Sequence, residues 1–222
     1  MKKHLATIIF ILFLLFGCEK SIYDSIESCD YEKVLKYIAE GKDLNKEDEN
    51  GRVPLDYAVL TSTKSNNIKK DNNELYRIMK CLVDNGANVN HNFGMAYTPL
   101  HFAAQCDNDK AISYLLDHGA KVNAVAINRG KLTPLHVTIF MDNNIKAAKA
   151  LLEGGADCNL PMEGGITPLH LAVGSENVEF VELLLKYKAN KNIKDDFGKT
   201  PLDDAIDKGN KEIIELLKTK FS

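Results

Sequence analysis

Beyond a first apolar run, hydrophobic positions fall in short clusters separated by polar turns. Leu100, Phe102 and Ala103, and again Leu169, Leu171 and Ala172, sit in short stretches opened by Thr-Pro. Thr supplies a hydroxyl N-cap, and Pro is preorganised for the first helical turn, so each stretch predicts a short helix. A second cluster follows, as in Val178, Val181, Leu184 and Leu185, with the spacing of one face of a second helix. Gly86, Gly119 and Gly155 then stand where a left-handed residue would end that helix. Lys188 replaces the glycine in the next copy, which predicts strain of up to about 1 kcal/mol.

The helix pairs recur. Thr98-Pro-Leu-His101, Thr133-Pro-Leu-His136 and Thr167-Pro-Leu-His170 are followed by Thr200-Pro-Leu-Asp203, and Val53-Pro-Leu-Asp56 is a weaker copy. Their prolines are 45, 35, 34 and 33 residues apart. A second echo runs out of phase, ending on Asn45, Asn90, Asn123, Asn159 and Asn192. This resembles the ankyrin repeat, with its period of about 33 and T-P-L-H-x-A signature. The resemblance implies an all-α ankyrin-repeat solenoid of about six helix-turn-helix units with projecting β-hairpin fingers. The units fall at about 21-47, 48-92, 93-126, 127-161, 162-194 and 195-222. The end units are atypical, as a solenoid that hides its last apolar faces requires. Ile22, Ile26, Val34, Leu35 and Ile38 fit an N-terminal cap without Thr-Pro, and Lys218 stands where Leu185 would recur. The surplus of 12 residues in the 45-residue step lies between the helices of the second unit, near 61-73, and reads as a solvated insertion.

The leading apolar run, Leu5 to Phe16, has 12 residues and follows Lys2 and Lys3. As a helix it reaches roughly 18 Å, against the ~30 Å of a bilayer core, so it describes a signal peptide rather than a span. Leu15-Phe16-Gly17-Cys18 resembles the lipobox of bacterial lipoproteins, although Phe16 is bulkier than usual there. That resemblance implies a signal peptide over residues 1-17, a covalent lipid on Cys18, and a short tether, 18-20, before the repeats at 21-222. It places the protein in a bacterial envelope, lipid-anchored on the periplasmic side. Glu19, where Asp favours inner-membrane retention, favours the outer membrane.

Charge narrows the partners. The chain carries a net charge of -3, and removing Lys2 and Lys3 with the signal shifts it to -5. Such a domain has no basic footprint for nucleic acid, and its membrane attachment would rest on the lipid. The candidate chemistry mostly dissolves into the repeat. His101, His136 and His170 occupy equivalent positions in successive units, one helix layer of ~8–10 Å apart. They cannot converge on one ion at ~2.0–2.1 Å, so no metal site is expected. In the family this histidine bonds near the threonine, so Thr98, Thr133 and Thr167 are expected to be its structural partners. Cys29, Cys81, Cys106 and Cys158 map to positions too far apart for the ~4.4–6.8 Å of a disulfide, which predicts free thiols. The acidic pairs Asp195-Asp196 and Asp203-Asp204 read as finger and helix surfaces, and no catalytic motif or cofactor cradle appears.

A non-catalytic protein that binds a partner protein through its concave face is what the ankyrin resemblance implies. Its variable contact positions carry over to Tyr97, Phe102 and Gln105, to Leu132, Val137, Phe140 and Met141, and to Ile166, Leu171 and Ser175. Phe140 and Met141 are either an exposed hot spot or a filler for that unit's one-residue expansion. The biological role is read first as an envelope adaptor and second as an immunity protein that neutralises a secreted toxic enzyme in the periplasm. A released effector fits poorly with a lipid-anchor signal. A self-contained, capped array implies a monomer.

Overall fold

The computed structural model describes residues 21–60, 72–92, 97–141 and 144–219. Cys18, the leading apolar run and most of the insertion lie outside them. The described residues form twelve α-helices in six antiparallel pairs. These are α1 (Ile22–Glu27) with α2 (Tyr31–Ala39), α3 (Pro54–Leu60) with α4 (Asn72–Asp84), and α5 (Pro99–Gln105) with α6 (Asp109–Asp117). Then follow α7 (Pro134–Phe140) with α8 (Ile145–Glu153), α9 (Pro168–Gly174) with α10 (Val178–Lys186), and α11 (Pro201–Lys208) with α12 (Lys211–Lys218). The odd-numbered helices stack serially as an inner layer, α1 on α3 through to α9 on α11. The even-numbered helices form the outer layer. No helix among the described residues is long and apolar enough to cross a membrane.

Local chemistry explains why each inner helix starts where it does. Thr98, Thr133, Thr167 and Thr200 are extended N-cap residues followed by proline, and each forms a reciprocal capping box with the residue three positions on. Four of the units turn into their outer helix through a left-handed residue: Cys29, Asp107, Glu176 and Gly209 all have positive φ. Asparagines 108, 177 and 210 cap the outer helices through their side chains. At Lys188 φ is +63°, so the fifth unit does hold a bulky residue in the glycine conformation.

Between units the second sequence echo has a direct physical meaning. Asn45 accepts from the Asn88 N–H at 2.7 Å and donates to the Gly86 carbonyl at 3.2 Å. Asn90 repeats the pattern one layer on, with the Lys121 N–H at 2.9 Å and the Gly119 carbonyl at 3.0 Å. Asn123 accepts from Asp157, and Asn159 from Asn190. Each asparagine therefore ties the backbone of its own unit to the next.

The fingers are shorter than hairpins of regular strands. Each of four closes on one backbone bond: Asp48 to Arg52, Ala126 to Leu132, Met162 to Ile166, and Asp195 to Lys199. An isolated antiparallel bridge joins Ala126 and Leu132, and no named strand forms among the described residues. The second unit departs from the others: its outer helix α4 has 13 residues where α6, α8 and α10 have 9. Aligned on Val83 and Leu185, the extra turn lies at the N-terminal end of α4, directly after the insertion.

Candidate partner-binding face

Inner helices and fingers together make one face of the solenoid, and the three Thr-His pairs are its scaffold. The backbone N–H groups of Thr98, Thr133 and Thr167 donate to the Nδ1 atoms of His101, His136 and His170 at 3.1, 3.1 and 3.3 Å. The threonine hydroxyls lie 2.9, 2.8 and 2.8 Å from the same nitrogens. Nδ1 therefore accepts, and the ring proton sits on Nε2. From there His101 donates to the Leu132 carbonyl and His170 to the Lys199 carbonyl, both at 3.2 Å, bonding each unit to the next finger. Around His136 the Ile166 carbonyl acts in the same sense, but Nε2 lacks a bond of good geometry. Burial pushes His101 and His136 down to about 4, so both are neutral near pH 7. These rings are bonded to the starts of their own helices and, at His101 and His170, to the next finger.

Above this scaffold the sequence-predicted contact residues divide. Phe102, Leu132 and Val137 are only 5, 8 and 1 % exposed. Their side chains belong to the core, which corrects the expectation that they face a partner. The Tyr97 ring packs edge-on against Phe102, Leu132 is bridged to Ala126 within its finger, and α7, which carries Val137, is packed between α5 and α9. Tyr97 is half-buried: its ring stacks on His101 at 5.0 Å and meets Phe102 edge-on at 5.6 Å, with the Arg129 guanidinium 5.9 Å away. Gln105, Ile166 and Leu171 are half-buried, and Ser175 is exposed. Phe140 and Met141 are 49 and 40 % exposed, so they do not fold back into the unit.

Sequence reading missed other members of this face. Val125, Ile127, Phe197 and Ile206 are exposed apolar residues, and with Phe140 and Met141 they complete the large exposed hydrophobics of the described residues. All six lie on fingers or on the inner layer and its turns; none is on an outer helix. A trough of about 470 Å³ runs beside Phe140 across the fourth, fifth and sixth units. Ile166, Leu171 and Gly174 form its apolar side, and Lys199, Asp204 and Asp207 stand along its rim.

No group of three or more metal-ligating side chains converges among the described residues. No disulfide joins Cys29, Cys81, Cys106 and Cys158 among the described residues.

The comparisons agree with this geometry. A family model described as Ankyrin repeats (3 copies) matches residues 68–162 and 141–221. The chain belongs to the ankyrin-repeat family. It is 34% identical over 111 residues to the putative ankyrin repeat protein FPV031 of fowlpox virus, covering 48% of this chain and 32% of that protein. Mouse Rabankyrin-5 is 33% identical over 144 residues, 60% of this chain and 11% of its own length. A putative ankyrin repeat protein of Rickettsia felis is 26% identical over 173 residues, 68% of this chain and 42% of its own length. The chain thus spans a third or less of the first two relatives.

Proposed function

We propose that this chain is a lipid-anchored, non-catalytic protein-binding module of a bacterial envelope, engaging its partner through the inner-helix and finger face. Ankyrin repeats imply a protein-binding role, and no catalytic function is indicated. The observation that carries the choice of face is the placement of the exposed apolar residues. Phe140, Met141, Val125, Ile127, Phe197 and Ile206 share it, while the outer helices present polar surface. Exposed aromatic and aliphatic groups concentrated on one face are what a partner surface requires.

The anchoring part of the reading rests on Leu15-Phe16-Gly17-Cys18, with Glu19 leaving transport to the outer membrane open. Cys18 lies four residues before Ile22, the first residue of α1, which would hold the array, as a monomer, close to its membrane. Mass spectrometry of the mature N-terminus in its bacterial host tests this half, with a lipid-modified Cys18 as the expected result. An unmodified Cys18 or an intact Met1 overturns it. Affinity capture from solubilised membranes tests the other half, and recovery of no protein that depends on the inner-helix face overturns it.

A further inference from the structure

The trough beside Phe140 owes its depth to one residue. Counting six positions on from each inner-helix proline gives Leu60, Gln105, Phe140, Gly174 and Asp207. The fifth unit alone has no side chain at this place. Gly174 is helical, not left-handed, so its backbone does not require glycine. A Cβ added there would meet nothing within 4 Å. Gly174 is the last residue of α9, where alanine would extend the helix better than glycine does, and nothing in the packing calls for the smaller residue. What Gly174 provides is space, between the half-exposed Phe140 ring and the sixth unit.

Three positions on from the prolines stand Tyr57, Phe102, Val137, Leu171 and then Asp204. Asp204 is half-buried in the trough wall, where its neighbours in register are aromatic or aliphatic. Among the described residues no hydrogen bond or ion pair holds its carboxylate; burial raises its pKa, and His170 and Lys199 nearby offset this only in part. The other charges nearby are engaged. Lys199 pairs with Asp207 at 2.7 Å, Lys208 lies 3.9 Å from Glu176, and both ring nitrogens of His170 are bonded. Asp195, on the same finger as Lys199, accepts from the Phe197 and Lys199 N–H groups.

An apolar insert would bury that carboxylate unpaired, which is strongly unfavourable. Lys199 and Lys208 also line the trough but are held toward Asp207 and Glu176, so a long side chain with an apolar stem and a cationic end suits what is left: Gly174 leaves room for the stem beside Phe140, and Asp204 supplies the counter-charge. We infer that the trough between the fourth and sixth units takes an arginine side chain from the partner polypeptide, held between Phe140 and Asp204 over Gly174. This deepens the protein-binding reading and rests on it. Arginine suits the site better than lysine because its planar head stacks on an aromatic ring and pairs with a carboxylate at once.

The test is selection of a random dodecapeptide library on the immobilised full-length chain. The expected outcome is enrichment of arginine-containing peptides. Asp204→Asn and Gly174→Leu would each weaken their binding by at least about tenfold, as would replacing the peptide arginine with norleucine. A Cβ at this exposed position meets nothing within 4 Å, so the thermal midpoint of Gly174→Leu should not fall, and lost binding at an undiminished midpoint cannot be ascribed to unfolding. Selected peptides that lack a basic residue, or that ignore both substitutions, overturn the arginine site while leaving protein binding on this face intact. If no peptide binds the face at all, both the site and the broader reading fail.

Discussion

The second and third units perform the same task with different chemistry. In the third, His101 bonds the Thr98 backbone through Nδ1 and reaches the next finger through Nε2, so one neutral ring spans two layers. In the second, Val53-Pro-Leu-Asp56 replaces the signature. Asp56 Oδ2 accepts the Val53 N–H at 3.0 Å, and the next finger supplies His91, whose Nδ1 is 2.8 Å away. That contact has the distance of an ion pair but not the angle of a hydrogen bond, since His91 Nδ1 and Asp56 Oδ1 both lack a bonded partner. Glu47 lies 3.3 Å from the other nitrogen of His91. Burial raises the pKa of Asp56, and the Val53 N–H and His91 only partly offset it. A capping histidine carries its own donor to the next unit, whereas a capping carboxylate needs its neighbour to provide one. The repeat tolerates the exchange because a polar contact from the capping side chain to the next finger, not the residue that makes it, is what joins the layers.

The difference can be broken first by truncation. Phe102→Ala, at a buried ring of the third unit, should cost about 3–5 kcal/mol by urea denaturation. Phe140→Ala, at an exposed ring one unit on, should cost less than about 1 kcal/mol while abolishing partner binding. Equal costs would show that exposure is misassigned on this face. Asp56→Ala comes next, leaving the Val53 N–H without its acceptor and His91 without its carboxylate neighbour, at about 1–3 kcal/mol. A double-mutant cycle with His91→Ala should reveal coupling, whereas none is expected between His101 and His91.

Acid should separate the two units in opposite directions. His101 and His136 have folded values of about 4 against roughly 6.5 unfolded, so the unfolded chain binds more protons between those limits. Stability they contribute is complete above pH 6.5 and is lost as pH falls toward 4, by up to about 3 kcal/mol for each ring. Asp56 has the reverse sign: its raised value means the folded state takes up the proton first, so acidification from its folded value down to about 4 favours the folded state. Unit-resolved hydrogen exchange at pH 7 and pH 5, corrected for intrinsic rates, should show protection falling more in the third and fourth units than in the second. Uniform loss would contradict these assignments. The smallest effect is expected at Lys188→Gly, which relieves a left-handed φ of +63° and should stabilise by up to about 1 kcal/mol in thermal or urea unfolding.

The fold was legible because its signals are redundant. Thr-Pro caps, the αL glycine positions and the asparagine echo all repeat with one period, and each has a hydrogen-bonding duty that the structure displays. The contact face was less legible. Phe102 and Val137 look like surface variables in a repeat frame, yet packing of inner helix on inner helix buries them; Phe140, three positions past Val137, lies exposed at the helix end. Gly174 and Asp204 escaped notice because each is ordinary alone. Their signal lies in comparison along the register, where glycine interrupts a row of side chains and aspartate a row of apolar ones.

The central claim, that the inner-helix face of the last three units holds a protein partner, is tested most directly by differential capture. Full-length wild-type chain and its Phe140→Ala and Gly174→Leu variants would be used as bait on solubilised membranes of the host bacterium, with thermal midpoints measured for each. The account predicts a protein retained by the wild type and lost from both variants at undiminished midpoints. A partner retained equally by all three, or lost instead when the exposed Glu179 and Glu182 of α10 are changed to lysine, would contradict it.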